Sequence, residues 1–129
     1  MSATQHILVI DDDGDVRDVL LEILQDREYR VSLAVGGRSM REFLRGDDPV
    51  DVVVLDAAMP GEASASLALY AKGLGLPVVM ISGSPKMMQF AIEHDLQLLE
   101  KPFRGEELIA AIVEALASGE AGQRRTNSS

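Results

Sequence analysis

Three consecutive aspartates, Asp11, Asp12 and Asp13, follow the apolar run Ile7-Leu8-Val9-Ile10, and a lone Asp56 closes a second run, Val52-Val53-Val54-Leu55. Ser82 ends a third run, Val78-Val79-Met80-Ile81, and Lys101-Pro102-Phe103 follows Leu98-Leu99-Glu100. Carboxylates, a hydroxyl and an ammonium are the groups that a magnesium-dependent phosphoryl-transfer site needs. The metal and the cation neutralise phosphoryl oxygens, while a carboxylate can serve as nucleophile. These residues lie far apart in sequence, so they converge only if the apolar runs are parallel strands. The carboxyl ends of such strands share one edge, and ligands collect there in open α/β sheets.

The elements that would position them alternate along the chain. Residues 6 to 10 are continuously apolar, which suits a strand covered on both faces. A helix is predicted from Asp15 to Arg27, with Val16, Val19, Leu20, Ile23 and Leu24 spaced as one helical stripe. Tyr29 to Ala34 reads as a weaker strand, and Gly36-Gly37 separates it from a helix carrying Met40, Phe43 and Leu44. Gly46-Asp47-Asp48-Pro49 breaks that helix. The third strand is Asp51 to Leu55, followed by a helix with Leu67, Leu69, Tyr70 and Leu74 that Gly75 ends. Pro77 opens the fourth strand. Met87, Met88, Ala91 and Ile92 predict a fourth helix, Leu96 to Leu99 a short fifth strand, and Leu108, Ile109, Ile112, Val113 and Leu116 an amphipathic last helix. Five strand-helix pairs imply an α/β, doubly wound, five-stranded parallel sheet with right-handed crossovers and helices on both faces.

Bulk properties fit a small domain. The chain has 129 residues, enough for one domain with its own core. A net charge of -9 argues against a nucleic-acid surface, because phosphate-tracking proteins carry basic stripes. With no cysteine, the fold needs neither a disulfide nor a thiolate metal site. Met-Ser-Ala-Thr-Gln lacks the basic start and apolar core of a signal peptide, and no run approaches the roughly 20 apolar residues that span a bilayer. A cytoplasmic protein without membrane attachment is the expectation. Residues 1–5 read as an extension, 6–117 as the folded domain, and Ser118 to Ser129 as a disordered tail without apolar periodicity.

The order acidic pair, Asp, Ser, Lys-Pro resembles the receiver domain of two-component response regulators, and the likeness covers about His6 to Ala117. Each motif alone is weak, but all of them occur in order and each closes a predicted strand. The resemblance implies a flavodoxin-like sheet in the order 2-1-3-4-5. It makes Asp56 the phosphoacceptor, taking a phosphoryl group from a sensor histidine kinase or a His-containing phosphotransfer protein. Asp12 and Asp56 would bind Mg2+ directly, Asp11 directly or through water, and the backbone carbonyl of Ala58 would be a further ligand. Ser82 and Lys101 would each meet a phosphoryl oxygen, and Lys101-Pro102 would be a cis peptide. Such a protein is a switch rather than a turnover enzyme, read by a downstream partner protein, and a monomer or weak dimer. The starting Met and the tail favour a free single-domain regulator.

Plainer readings stand beside these. Asp56 could be an ordinary turn residue, and Asp11 and Asp12 could cap a helix; capping is the reading taken for Asp13 and Asp15. His6 and His94 are assigned no role, and the Met87-Met88 stretch is read as core. Three departures from the receiver pattern stand out. Leu98 occupies a position that is aromatic in regulators signalling by ring rotation, Gly83 replaces the more frequent Ala, and Glu62-Ala63-Ser64 replaces the usual acidic-Gly pair. Asp11-x-Asp13-Gly14 also resembles the first motif of haloacid-dehalogenase-type phosphatases, which would make Asp11 the nucleophile of a magnesium-dependent enzyme. Asp15 stands where that motif has Thr, and Asp56 would have no task. An EF-hand calcium loop fails because Val16 sits where glycine is needed.

Overall fold

The computed structural model describes residues 4–57 and 64–128. Five strands, β1 (His6–Ile10), β2 (Arg30–Ala34), β3 (Val52–Asp56), β4 (Val78–Ser82) and β5 (Gln97–Glu100), alternate with five helices. The helices are α1 (Gly14–Asp26), α2 (Gly37–Arg45), α3 (Ser64–Gly73), α4 (Pro85–Glu93) and α5 (Gly105–Ser128). All strand pairs are parallel and the order is β2-β1-β3-β4-β5. No helix of the described residues is long and apolar enough to cross a membrane.

β1, β3 and β4 are buried along their whole length because the sheet is covered on both sides. Alternate residues divide between two cores, as the two-residue period of a strand requires. Ile7, Val9, Val52, Val54, Val79 and Ile81 face α1 and α5. Leu8, Ile10, Val53, Leu55, Val78 and Met80 face α2, α3 and α4. The helical stripes differ in detail from their apolar periodicity. Val19, Leu69, Leu74, Ile92 and Val113 are exposed, whereas Ala68, Ala71, Ala91, Ala111 and Ala115 are buried. Small side chains let these helices approach the sheet closely, and the branched ones beside them are turned outward. Gly75, at φ +85, sits in the left-handed region favourable to glycine and closes the turn after α3. α5 runs on to Ser128, through the stretch read as a disordered tail. That stretch contains no proline, and Glu, Ala, Gln and Arg favour helix within it.

At the amino edge of the sheet, opposite the predicted site, a histidine fastens the strands together. His6 is buried, with Nδ1 2.8 Å from the Pro49 carbonyl and Nε2 2.7 Å from Ser32 Oγ. A carbonyl only accepts, so Nδ1 donates to Pro49, while Nε2 forms its hydrogen bond with the Ser32 hydroxyl. The His6 N–H donates to Asp51 Oδ2 at 2.7 Å, and the Phe43 ring meets the imidazole edge-on at 5.7 Å. Asp48, which pairs with Arg30, lies 3.7 Å from Nδ1. His6 is thus a satisfied structural residue, tying β1 to β2 and to the loop that enters β3. Replacing His6 with Ala is expected to lower unfolding free energy by about 2–3 kcal/mol through lost packing and unpaired partners. Urea denaturation would show it as a lower midpoint with unchanged slope.

Candidate functional site

The parallel register places the predicted residues at the carboxyl edge. Asp56 is the last residue of β3 and pairs in register with Ile81, one residue before Ser82 at the end of β4. Ser82 pairs with Glu100, so Lys101 emerges beside it, and the Lys101 N–H donates to the Ser82 carbonyl at 2.9 Å. Asp11 directly follows β1, its N–H donating to the Ala34 carbonyl at 3.1 Å. The sheet therefore delivers Asp11, Asp56, Ser82 and Lys101 to one edge.

Lys101 Nζ stands 3.2 Å from Asp56 Oδ1 and 3.3 Å from Oδ2, straddling the carboxylate. Asp56 is only 5 % exposed, while the lysine side chain is 34 % exposed, so the ammonium lies between the acid and solvent. The Lys101–Pro102 peptide is cis. Ser82 is buried and its Oγ accepts the Ser84 N–H at 3.0 Å. A Cβ on Gly83 would touch Lys101 Cβ at an ordinary 3.7 Å, so nothing in the packing demands glycine there.

Asp11 is fully buried. Its Oδ1 accepts the Asp13 N–H at 2.9 Å, while no donor reaches the buried Oδ2. Burial, opposed by the Asp13 hydrogen bond, pushes its carboxyl up to about 6, and the charge of Asp56 and hydrogen bonding to it push the same way. Lys101 pulls weakly in the other direction. Asp12, by contrast, is exposed. Asp13 caps α1, its Oδ1 accepting from Asp15 N–H at 2.9 Å and Val16 N–H at 3.4 Å. Among the described residues no three acidic, His or Cys side chains gather into a metal-holding cluster. Ala58, whose carbonyl is an expected ligand, lies outside the described residues, as do Met59, Pro60 and Gly61.

The donor set nevertheless fits a hard cation. Two neighbouring carboxylates, one with a buried oxygen that no donor reaches, suit a Mg2+ ion that needs only one or two carboxylates and keeps several waters. One contact lay beyond the sequence reading. Buried Ser64 donates through Oγ to the Asp56 carbonyl at 3.1 Å. The only signal for it was a hydroxyl residue where the receiver pattern has its acidic-Gly pair.

A doubly wound α/β domain with buried acids beneath one lysine at the carboxyl edge is the class these features define. The model of the response regulator receiver domain family matches residues 7–113, and the chain belongs to that family: it is a receiver domain of two-component signalling. It is 34 % identical over 110 residues to the response regulator MprA of Mycolicibacterium vanbaalenii, covering 81 % of this chain and 47 % of that protein. It is 29 % identical over 123 residues to the alkaline phosphatase synthesis transcriptional regulatory protein SphR of Synechococcus elongatus, covering 84 % of this chain and 48 % of the relative. The chain thus spans about half the length of the curated relatives it matches. In fold it resembles a CheY-like receiver domain protein of Methanospirillum hungatei, with TM-score 0.82, 22 % identity, and 93 % and 99 % of the two chains covered. It also resembles the chemotaxis regulator CheY4 of Vibrio cholerae, with TM-score 0.77, 24 % identity, and 88 % and 100 % covered.

The raised carboxyl of Asp11 fixes the sign of a pH effect. The folded, metal-free protein holds this proton more tightly than the unfolded chain, so ionising Asp11 costs stability. The cost is absent below about pH 4, the ordinary carboxylate range, grows toward pH 6 and is complete above it. Asp11→Asn, which removes the charge, is therefore expected to stabilise the metal-free protein at pH 7.5. Its advantage over wild type should shrink steadily as pH falls to about 4. Urea midpoints in the presence of a chelator, compared across that range, check both the sign and the window.

Proposed function

We propose that Asp56 accepts a phosphoryl group from a phosphohistidine of a partner protein, and that the modified domain signals to a downstream protein. The observation that carries this reading is Lys101 Nζ straddling both oxygens of Asp56, beside a second buried carboxylate. The ammonium stands against both carboxylate oxygens, either of which can act as the nucleophile. In the transfer an Asp56 oxygen bonds to phosphorus, the P–N bond breaks, and its electron pair returns to the imidazole of the donor. Lys101 then moves from the carboxylate to a phosphoryl oxygen. Ser82, whose oxygen accepts the Ser84 N–H, retains its own proton to donate to another phosphoryl oxygen. Asp11 and Asp56 would hold Mg2+, with Asp12 and the Ala58 carbonyl as its further expected contacts. The ion, when bound, neutralises phosphoryl charge and relieves the repulsion between the acids.

The same geometry favours Asp56 over Asp11 as nucleophile. The lysine serves Asp56, and Asp11 is sealed from solvent, which counts against the phosphatase alternative. The readout follows from the Ser82–Ser84 hydrogen bond: drawing Ser82 to the phosphoryl group pulls on the start of α4. Leu98 packs into the core under α2, α3 and α4, so the aliphatic side chain leaves the displacement of the β4–α4 connection, not ring rotation, to carry the signal.

Incubation with Mg2+ and acetyl phosphate, followed by intact-mass analysis, tests the proposal. Wild type is expected to gain one phosphoryl group, Asp56→Asn none, and Lys101→Ala should form the adduct on the order of a hundredfold more slowly. Continuous hydrolysis of the donor that survives Asp56→Asn and vanishes in Asp11→Asn would overturn the reading in favour of the phosphatase.

A further inference from the structure

Ser64 opens α3 and is 5 % exposed, with its hydroxyl donating to the Asp56 carbonyl at 3.1 Å. A helix-capping serine accepts an N–H; this one donates to a carbonyl on another element. The peptide unit that it grips runs from the Asp56 carbonyl to the Ala57 N–H, and that N–H donates to the Ile81 carbonyl at 2.9 Å. The plane following Asp56 is therefore held at both ends, by β4 on one side and α3 on the other.

Because the peptide is planar, fixing that unit fixes ψ at Asp56. Pairing within the sheet fixes the residue from its other side. Together they determine the direction of the Cα–Cβ bond, and so where the carboxylate meets Lys101 Nζ at 3.2 and 3.3 Å. A buried carbonyl at the last residue of a strand must find a donor. The acidic-Gly pair of the receiver pattern offers no hydroxyl for this, so the bond is a property of this chain.

We infer that Ser64 is a positioning residue for Asp56, its hydroxyl orienting the Asp56–Ala57 peptide and through it the carboxylate under Lys101. The inference rests on Asp56 being the reactive group. Its test uses the full chain with Ser64→Ala, Ser64→Gly and Ser64→Thr. The rate of phosphoryl adduct formation from acetyl phosphate at saturating Mg2+ is expected to fall about fivefold in Ala and Gly, the scale of one net hydrogen bond. Thr, which keeps the hydroxyl, should return it to within about twofold. A second readout needs no phosphorylation: the Asp56 carbonyl carbon resonance should shift, and Ala57 amide exchange quicken, in Ala and Gly but not in Thr. Unchanged resonance and exchange in Ser64→Ala overturn the inference. So does a rate loss that Gly restores, which loss of the hydroxyl cannot explain, or one that Thr shares. If wild type forms no adduct, the phosphoacceptor reading fails by itself, and the resonance and exchange measurements still decide whether Ser64 orients Asp56.

Discussion

Two buried carboxylates stand side by side at the carboxyl edge of this sheet, and one ammonium is set against the second of them. Asp11 and Asp56 lie close enough for the charge of Asp56 to raise the proton affinity of Asp11, while Lys101 Nζ meets both oxygens of Asp56. Buried like charges cost stability. Here the cost is held in place by the strands: Asp11 directly follows β1 and Asp56 ends β3, and β1 and β3 are adjacent in the parallel order. In the proposed reading a cation entering the pocket would relieve this repulsion, so the acid proximity that weakens the metal-free domain would favour a hard ion.

That cost requires rigidity elsewhere, and the opposite edge supplies it. His6 begins the strand whose far end leads into Asp11, and its ring and backbone reach β2, the Pro49 carbonyl and Asp51. β1 is therefore anchored at its start by hydrogen bonds and along its length by two cores. At the other end of the sheet, the connections after the strands carry the polar groups. The Ser82–Ser84 bond lies in one of these, directly before α4, whose Ile92 is 71 % exposed. The polar edge and the outward-facing helix are joined by two residues.

The sheet was legible in the sequence because β1, β3 and β4 are buried on both faces, which forces unbroken apolar runs. The acid, hydroxyl and lysine positions followed once those runs were read as parallel, while the strand order came from the receiver resemblance. The helix faces were less legible for a physical reason. Periodicity weighs large apolar residues, but α3, α4 and α5 meet the sheet partly through Ala68, Ala71, Ala91, Ala111 and Ala115, leaving Leu69, Ile92 and Val113 outside. His6 gave no sign of its partners, since Pro49 and Ser32 come to it only through the fold. Ser64 was visible only as a departure from the receiver pattern, because a hydroxyl donating to a carbonyl eight residues back has no local signature.

The departures from the receiver pattern also separate into two physical kinds. Gly83 is permissive: a Cβ there would make an ordinary contact with Lys101, so its smallness changes little around the site. Ser64 and Leu98 alter what the structure can do. One adds a hydrogen bond that holds the peptide after Asp56, and the other removes the ring whose rotation would couple the site to the surface. The Ser64 bond fixes the peptide that follows Asp56, and the Ser82–Ser84 bond joins the end of β4 to the first turn of α4, so under the proposed phosphorylation a shift of Ser82 would pass directly to α4.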